Sequence, residues 1–327
     1  MKPRLFVVVP CYNEQEVLPE TAKRLKEKLA SLREKDLIAE SSRVLFVDDG
    51  SLDDTRSLIR TLHEEDAVFQ GLFLSRNRGH QNALLAGLMT VRTLADCAVS
   101  MDADLQDDVD ALDKMLERFA NGADIVYGVR SSRKTDTAFK RGTAGLFYRI
   151  MRWFGVETVD NHADFRLLSA RAMQALSEFG EKNLFLRGMV PMLGFPCETV
   201  YYSRAARFAG ESKYPLRKML QFATEGITSL SVEPIRMITR LGFLIFLASI
   251  AILIYSLQRY FTGNTIPGWT TTVLSVWAIG GLIMISLGVI GEYIGKIYLE
   301  TKNRPRYIIE EYLKDATDEA DIRDPSV

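Results

Sequence analysis

Cysteine is scarce: three in 327 residues, Cys11, Cys97 and Cys197, far apart and odd in number. They make no disulfide framework and no zinc spacing, which fits a reducing compartment. An excess of charge of one sign is lacking too. A net charge of -1 exerts no global pull on nucleic acid, so no nucleic-acid partner is expected. The opening "MKPRLFVVVP" holds too short an apolar run for a signal peptide. Internal repeats and low-complexity tracts are absent. What is present is a chain long enough for one large domain or two ordinary ones.

Its 47% of hydrophobic residues are unevenly spread. Residues 241–257 and 269–291 carry no charge, and each is near the ~20 apolar residues that a spanning helix needs. The connection "QRYFTGNTIPG" is short and rich in turn formers, as a helical hairpin requires. Arg236 and Arg240 precede the first span; Lys296, Lys302, Arg304 and Arg306 follow the second. The positive-inside rule then places both ends, and the large N-terminal domain, in the cytoplasm, with Arg259 as a contrary sign. A helical hairpin buried in a soluble core is the other reading, which the basic flanks disfavour.

Before the spans, apolar runs alternate with helical patterns. Residues 5–10, 44–47, 72–74, 97–101 and 125–128 read as buried strands. A helix opens near Asn13 or Glu14, one is capped by Ser51 or Asp53 after the Gly50 turn, one opens at Gly79, and one covers 109–119. This order predicts an α/β fold with a doubly wound, mostly parallel sheet. In such sheets ligands bind outside the carboxyl ends of the strands, and there the polar clusters fall. Foremost is "AVSMDADLQDD", an apolar strand running into Asp102, Asp104, Asp107 and Asp108. Asp102 and Asp104, two apart on a strand, share a face. Such a pair suits Mg²⁺, which usually takes one or two carboxylates plus substrate phosphates. A solvated acidic turn leading into a helix is the alternative.

The ordered set "VVVPCYNE", "VDDGS", "SRNRGHQNALLAGL", "MDADLQD", "DFRLLS" and "RFAGESKY" resembles the family 2 inverting glycosyltransferases of the GT-A fold. "EGITSLSVEPIR", the two spans and "GEYIGKIYLETKNRPRY" bring it close to the polyprenyl-phosphate glycosyltransferases, above all those that glucosylate bactoprenol. The resemblance runs to about Tyr307. It implies a GT-A sheet followed by an amphipathic interfacial helix and two transmembrane helices. The expected division is 1–212 for the cytoplasmic catalytic domain, 213–235 for the juxtamembrane helix, 236–295 for the hairpin and 296–327 for a cytoplasmic end. It also implies a UDP-sugar donor, polyprenyl (undecaprenyl) phosphate as acceptor, a divalent metal (Mg²⁺ or Mn²⁺), a place in the inner membrane and a homo-oligomer, a tetramer by analogy. Glucose is the first expectation for the sugar, with N-acetylhexosamine, mannose and aminoarabinose open. A non-catalytic nucleotide-sugar-binding scaffold is the alternative outside enzymes, against which the acidic residues Asp102, Asp104 and Asp164 speak.

By this resemblance Pro10, Tyr12, Asn13, Glu14, Asp48, Arg76, Asn77, Asp102 and Arg130 hold the nucleotide sugar. Asp48 is suited to accept from the uracil N–H and Tyr12 to stack on the ring, unless Tyr12 packs on the next helix. Asp49 is a candidate to orient the Gly50 turn. Asp102, Asp104 and Gln106 match the metal positions, and Asp104 and Asp164 the catalytic ones. Asp164 takes a residual proton, positions the acceptor or holds Arg166; capping the helix that begins at Ser169 is the structural alternative. Relatives usually have Gly where this chain has Ala163. Arg133, Arg204, Arg207, Ser212 and Lys213 are expected at the phosphates, although a solvated basic face accounts equally for Arg133 and Arg204 taken singly. His80 reads as a helix-surface histidine, since relatives often carry lysine there. Two further stretches, 216–232 with an apolar stripe and 138–154, are candidates for lipid contact; packing on the domain explains the first equally well. The acidic tail "KDATDEADIRDPSV" is expected to be disordered.

Overall fold

The computed structural model describes residues 2–130, 162–182, 184–203, 233–262 and 268–315. Of these, residues 233–262 and 268–304 form one compact unit and the remainder another.

The larger unit is an α/β sheet. Its elements are β1 (Leu5–Cys11), α1 (Leu18–Glu34), β2 (Arg43–Asp48), α2 (Thr55–Glu65), β3 (Phe69–Leu74), α3 (His80–Val91), β4 (Cys97–Ser100), α4 (Ala111–Ala120) and β5 (Ile125–Arg130). There follow β6 (His162–Ser169), α5 (Ala170–Ser177), α6 (Leu186–Met192), β7 (Cys197–Tyr202) and, after the second unit, β8 (Ile309–Leu313). The strand order is β7-β5-β6-β4-β1-β2-β3-β8. β1 lies parallel to β2 and β4, β2 to β3, and β5 to β7. β6 runs against β4 and β5, and β8 against β3. The sheet is therefore GT-A-like and mixed, with parallel pairings outnumbering antiparallel ones four to three.

Strand alternation builds two cores. Along β1, Leu5, Val7 and Val9 face α1, α2 and α4, while Phe6 and Val8 face α3, α5 and α6. Both faces are covered, so a continuous apolar run suits this strand. α1 buries Leu18, Ala22, Leu25, Leu29 and Leu32 at helical spacing. α3 sits so close to the sheet that a Cβ on Gly87 would lie 2.4 Å from Val8 Cγ1 and 2.8 Å from Val47 Cγ2. Ser169, and not Asp164, caps α5, accepting a hydrogen bond from the Ala172 N–H at 3.0 Å.

β8 was not anticipated. It lies just ahead of the acidic tail and adds an edge strand to β3, backed by Arg60–Glu311 and by Tyr312 Oη donating to Gln70 at 2.7 Å. The tail beyond Asp315 lies outside the described residues, as do 216–232 and 138–154.

The second unit holds α7 (Glu233–Phe261) and α8 (Trp269–Thr301). Both expected spans are thus helical. Among the described residues one stretch, Ala278–Thr301, is long and apolar enough to cross a membrane. Ile283, Met284, Ile285 and Leu287 are all at least half exposed on it.

Candidate active site

The loops that follow β1, β2, β3 and β4 are tied to one another. After β1, Asn13 takes a left-handed conformation (φ 54°). Its N–H donates to Ser51 Oγ at 3.0 Å and its side-chain oxygen accepts from the Leu52 N–H at 2.9 Å. The Glu14 N–H donates to Thr55 Oγ1 at 2.9 Å. The β1 loop is thereby fixed to the β2 loop.

The β2 loop turns at Gly50 (φ 70°), where a Cβ would come within 2.6 Å of the Asn77 nitrogen, so only glycine lets this turn lie on the β3 loop. Asp48 is fully buried beneath the turn. One of its oxygens accepts from the Ser51 N–H and the other from Arg56 Nε, both at 3.1 Å. Asp48 thus orients the Gly50 turn, a part for which Asp49 had been the candidate. Asp49 instead reaches the β3 loop, accepting from the Arg78 N–H at 2.7 Å and the Gly79 N–H at 2.8 Å. Burial raises its pKa above the ordinary carboxylate value, and those two N–H groups offset the rise only in part.

The acidic stretch leaves β4 as a turn. Thr21 Oγ1 on α1 donates to the Ala103 carbonyl at 2.8 Å, Leu105 is left-handed (φ 56°), and the Gln106 N–H donates to Asp104 Oδ1 at 3.2 Å. Asp107 is turned away and takes a hydrogen bond from Tyr202.

Asp164 enters from β6, beside β4. Its Oδ1 accepts from Arg166 at 2.5 Å and from Arg187 Nε at 3.3 Å; its Oδ2 accepts from a terminal Arg187 nitrogen at 3.1 Å. His80 Nε2, at the first residue of α3, lies 3.6 Å from Asp164 Oδ2 and 3.5 Å from Asp102 Oδ1. Burial alone would raise the Asp164 pKa. The adjacent His80 ring and the charges of Arg187 and Arg166 outweigh it and hold the carboxyl well below the usual range. For His80 burial favours the neutral ring, but Asp164 and Asp102 prevail and raise its pKa.

These groups border a cleft of about 600 Å³. Of the residues expected at the donor and the metal, Pro10, Asn13, Glu14, Asp102, Asp104 and Asp164 line it. Tyr12, Arg76 and Asn77 are exposed but do not line it, Gln106 stands next to the acidic turn, and Arg130 ends β5. Asp48 has both oxygens in use, so a base N–H would have to share one of them. Arg133, Arg204, Arg207, Ser212 and Lys213 lie outside the described residues. The cleft also holds His80, read from the sequence as a helix-surface residue, and Arg187, which the sequence did not single out. His80 is a cleft residue, not merely a helix-surface one. Its place directly after Gly79, at the C-terminal end of β3, was the available signal. Arg187 had none, because its neighbourhood to Asp164 arises only when α6 packs beside β6.

Among the described residues no three His, Cys, Asp or Glu side chains are grouped to hold a metal by themselves. Asp102 and Asp104 on one wall of the cleft fit a divalent ion whose remaining ligands are phosphate oxygens and water.

The model of glycosyl transferase family 2 matches residues 6–177, from β1 to the end of α5. An uncharacterized glycosyltransferase of Bacillus subtilis strain 168, YkoT, is 50% identical over 94% of this chain and 92% of its own length. A bactoprenol glucosyl transferase of Shigella phage SfX is 37% identical over 94% of this chain and 99% of its own. A prophage bactoprenol glucosyl transferase homolog of Escherichia coli K12 is 36% identical over 95% and 100%. The matched span holds the acidic turn and Asp164, and the relatives extend the likeness through the apolar helices: this chain is a glycosyltransferase and belongs to glycosyl transferase family 2.

Proposed function

We propose that the enzyme transfers a hexose, glucose first, from a UDP-sugar to polyprenyl phosphate such as undecaprenyl phosphate, with inversion, at the cytoplasmic face of the membrane. The observation that carries this reading is the convergence of Asp102, Asp104 and Asp164 on one cleft at the strand ends. Relatives named for bactoprenol glucosylation, alike over nearly the whole chain, supply the substrate classes.

Breaking the bond between sugar and diphosphate leaves negative charge on the leaving group. A divalent ion, Mg²⁺ or Mn²⁺, on Asp102, Asp104 and Gln106 supplies charge neutralisation there. The loops carrying Pro10, Tyr12, Asn13, Glu14, Arg76 and Asn77, braced by Asp48, hold the nucleotide end, with Arg130 at the end of β5. Arg133, Arg204, Arg207, Ser212 and Lys213 serve the phosphates by family resemblance. Asp164 positions and does not act as an obligatory base. Its pKa is held low by two guanidiniums and an imidazole, which makes it a weak proton acceptor. The acceptor needs little help, because a phosphomonoester with a second pKa near ~6 is mostly dianionic at neutral pH.

The chain leaves the sheet after β7 and returns to the same sheet as β8. Whatever crosses a membrane between them must cross an even number of times. One apolar helix alone does not satisfy this, so α7 serves as the second span and both ends remain cytoplasmic. Gly280, Gly281, Gly288 and Gly291 in α8 permit the close helix packing that a homo-tetramer in the bilayer would use.

The test is purified protein with radiolabelled UDP-glucose, UDP-N-acetylhexosamines, GDP-mannose and an aminoarabinose donor, each with undecaprenyl phosphate. A lipid-linked product from UDP-glucose is expected. Product only with another donor corrects the sugar. Product with lipid alcohols and none with the lipid phosphate overturns the acceptor class.

A further inference from the structure

We propose that Arg187 binds the phosphate of the lipid acceptor. This deepens the reading above and rests on its acceptor class.

The cleft is acidic. Glu14, Glu16, Asp53, Asp102, Asp104 and Asp164 line it, and among the described residues its basic lining is Arg187 and His80. Into it must come a diphosphate and a phosphomonoester, the latter carrying about -1.5 to -2 charges at neutral pH. A metal on Asp102 and Asp104 answers the diphosphate. The acceptor needs cationic donors of its own, near the sugar but apart from the leaving group.

The Asp164 cluster provides them. One carboxylate faces two guanidiniums there, so these three groups carry a net positive charge. The two arginines divide the work by burial. Arg166 is 1% exposed, pairs with Asp164 at 2.5 Å and donates to the Leu186 carbonyl at 3.2 Å. It neutralises Asp164 from inside the domain. Arg187 has a side chain one-third exposed and lines the cleft. Asp164 grips it side-on through Nε and one terminal nitrogen, which fixes the plane of the guanidinium. A planar guanidinium matches a phosphate with two parallel N–H donors, as an ammonium does not. His80, within 3.6 Å of Asp164 and 3.5 Å of Asp102, stands between this cluster and the metal wall. The two phosphate-bearing substrates therefore meet on opposite sides of His80, and Asp164 acts through the arginine that it holds.

The experiment uses the full chain in detergent, varying undecaprenyl phosphate at saturating UDP-sugar and then the reverse. Losing a hydrogen bond to a charged group corresponds to roughly a 10- to 100-fold weakening. Arg187→Gln is expected to raise the acceptor KM by about that factor and to leave the donor KM unchanged. Arg187→Lys, which keeps the charge without the fork, should fall between Gln and wild type. Inorganic phosphate should compete with the lipid in the wild type and compete more weakly in Arg187→Gln, which separates binding of the phosphate from binding of the polyprenyl chain. An equal rise in the donor KM would assign Arg187 to the diphosphate and overturn the proposal, as would a fall in kcat with the acceptor KM unchanged. Should Arg187→Gln fail to fold by thermal midpoint, the Arg187→Lys values decide in the same way. The wild type's choice of acceptor tests the substrate class separately, since the Arg187 proposal is judged on the ratio of variant to wild type.

Discussion

Asp164→Asn should cost stability as well as rate. The substitution leaves Arg166, buried and held by one carbonyl, without its counter-charge. Breaking a buried pair by removing one partner costs about 3–5 kcal/mol. Asparagine keeps one acceptor oxygen, so the lower end, about 3 kcal/mol, applies. For a domain of roughly 200 residues each kcal/mol lowers the midpoint by about 2–4 °C, which gives a fall of about 6–12 °C. Adding Arg166→Met should restore most of that stability without restoring transfer. The pH dependence follows from the two shifts. Asp164 is depressed, so its contribution is complete above the ordinary value near ~3.9 and is lost as pH falls through its lower folded value. His80 is raised, so its share is complete below about 6.5 and is lost as pH rises through its higher folded value. The gap between wild type and Asp164→Asn is therefore widest between about pH 4 and 6.5. Calorimetry in detergent at pH 6 is the assay. A midpoint within about 2 °C of wild type would refute the buried-pair reasoning.

Asp102→Asn combined with Asp104→Asn should abolish transfer and leave the midpoint unchanged, because both residues border the cleft and not the core; full activity in chelator with no added ion would refute the metal role. Gly87→Ala should destabilise the sheet unit by about 1–3 kcal/mol, the usual cost of overpacking, since its methyl meets Val8 and Val47; an unchanged denaturation midpoint would show that α3 lifts freely. A topology reporter fused after Val327 should read cytoplasmic, and a periplasmic signal would break the even-crossing constraint together with the hairpin.

Local pattern made the strand–helix frame legible. Leu5 to Val9 are apolar without a break, and Leu18, Leu25 and Leu29 repeat at helical spacing, so both were readable from neighbours in the chain. The acidic turn after β4 was readable for the same reason, since Asp102 and Asp104 are two residues apart. Partnerships across the sheet were not. The direction of β6 depends on pairing with β4 and β5, Arg187 reaches Asp164 only through the packing of α6, and β8 finds β3 from the far end of the chain. That Asp48 and not Asp49 holds the Gly50 turn was equally hidden, because adjacent carboxylates look alike until the backbone decides which of them faces the turn.

β8 also sets an order of events during synthesis. Gln70 and Tyr312, which share a hydrogen bond across the outer edge of the sheet, are 242 residues apart. At about 5–20 residues per second, β3 waits roughly 12–48 seconds for its partner, and both apolar helices emerge in the meantime. Over that interval the nascent domain carries an unpaired strand edge, a template on which another chain can pair. The last of the described strands to be made is thus the one that covers β3, and a chain stalled before it would keep that edge open for as long as it survives.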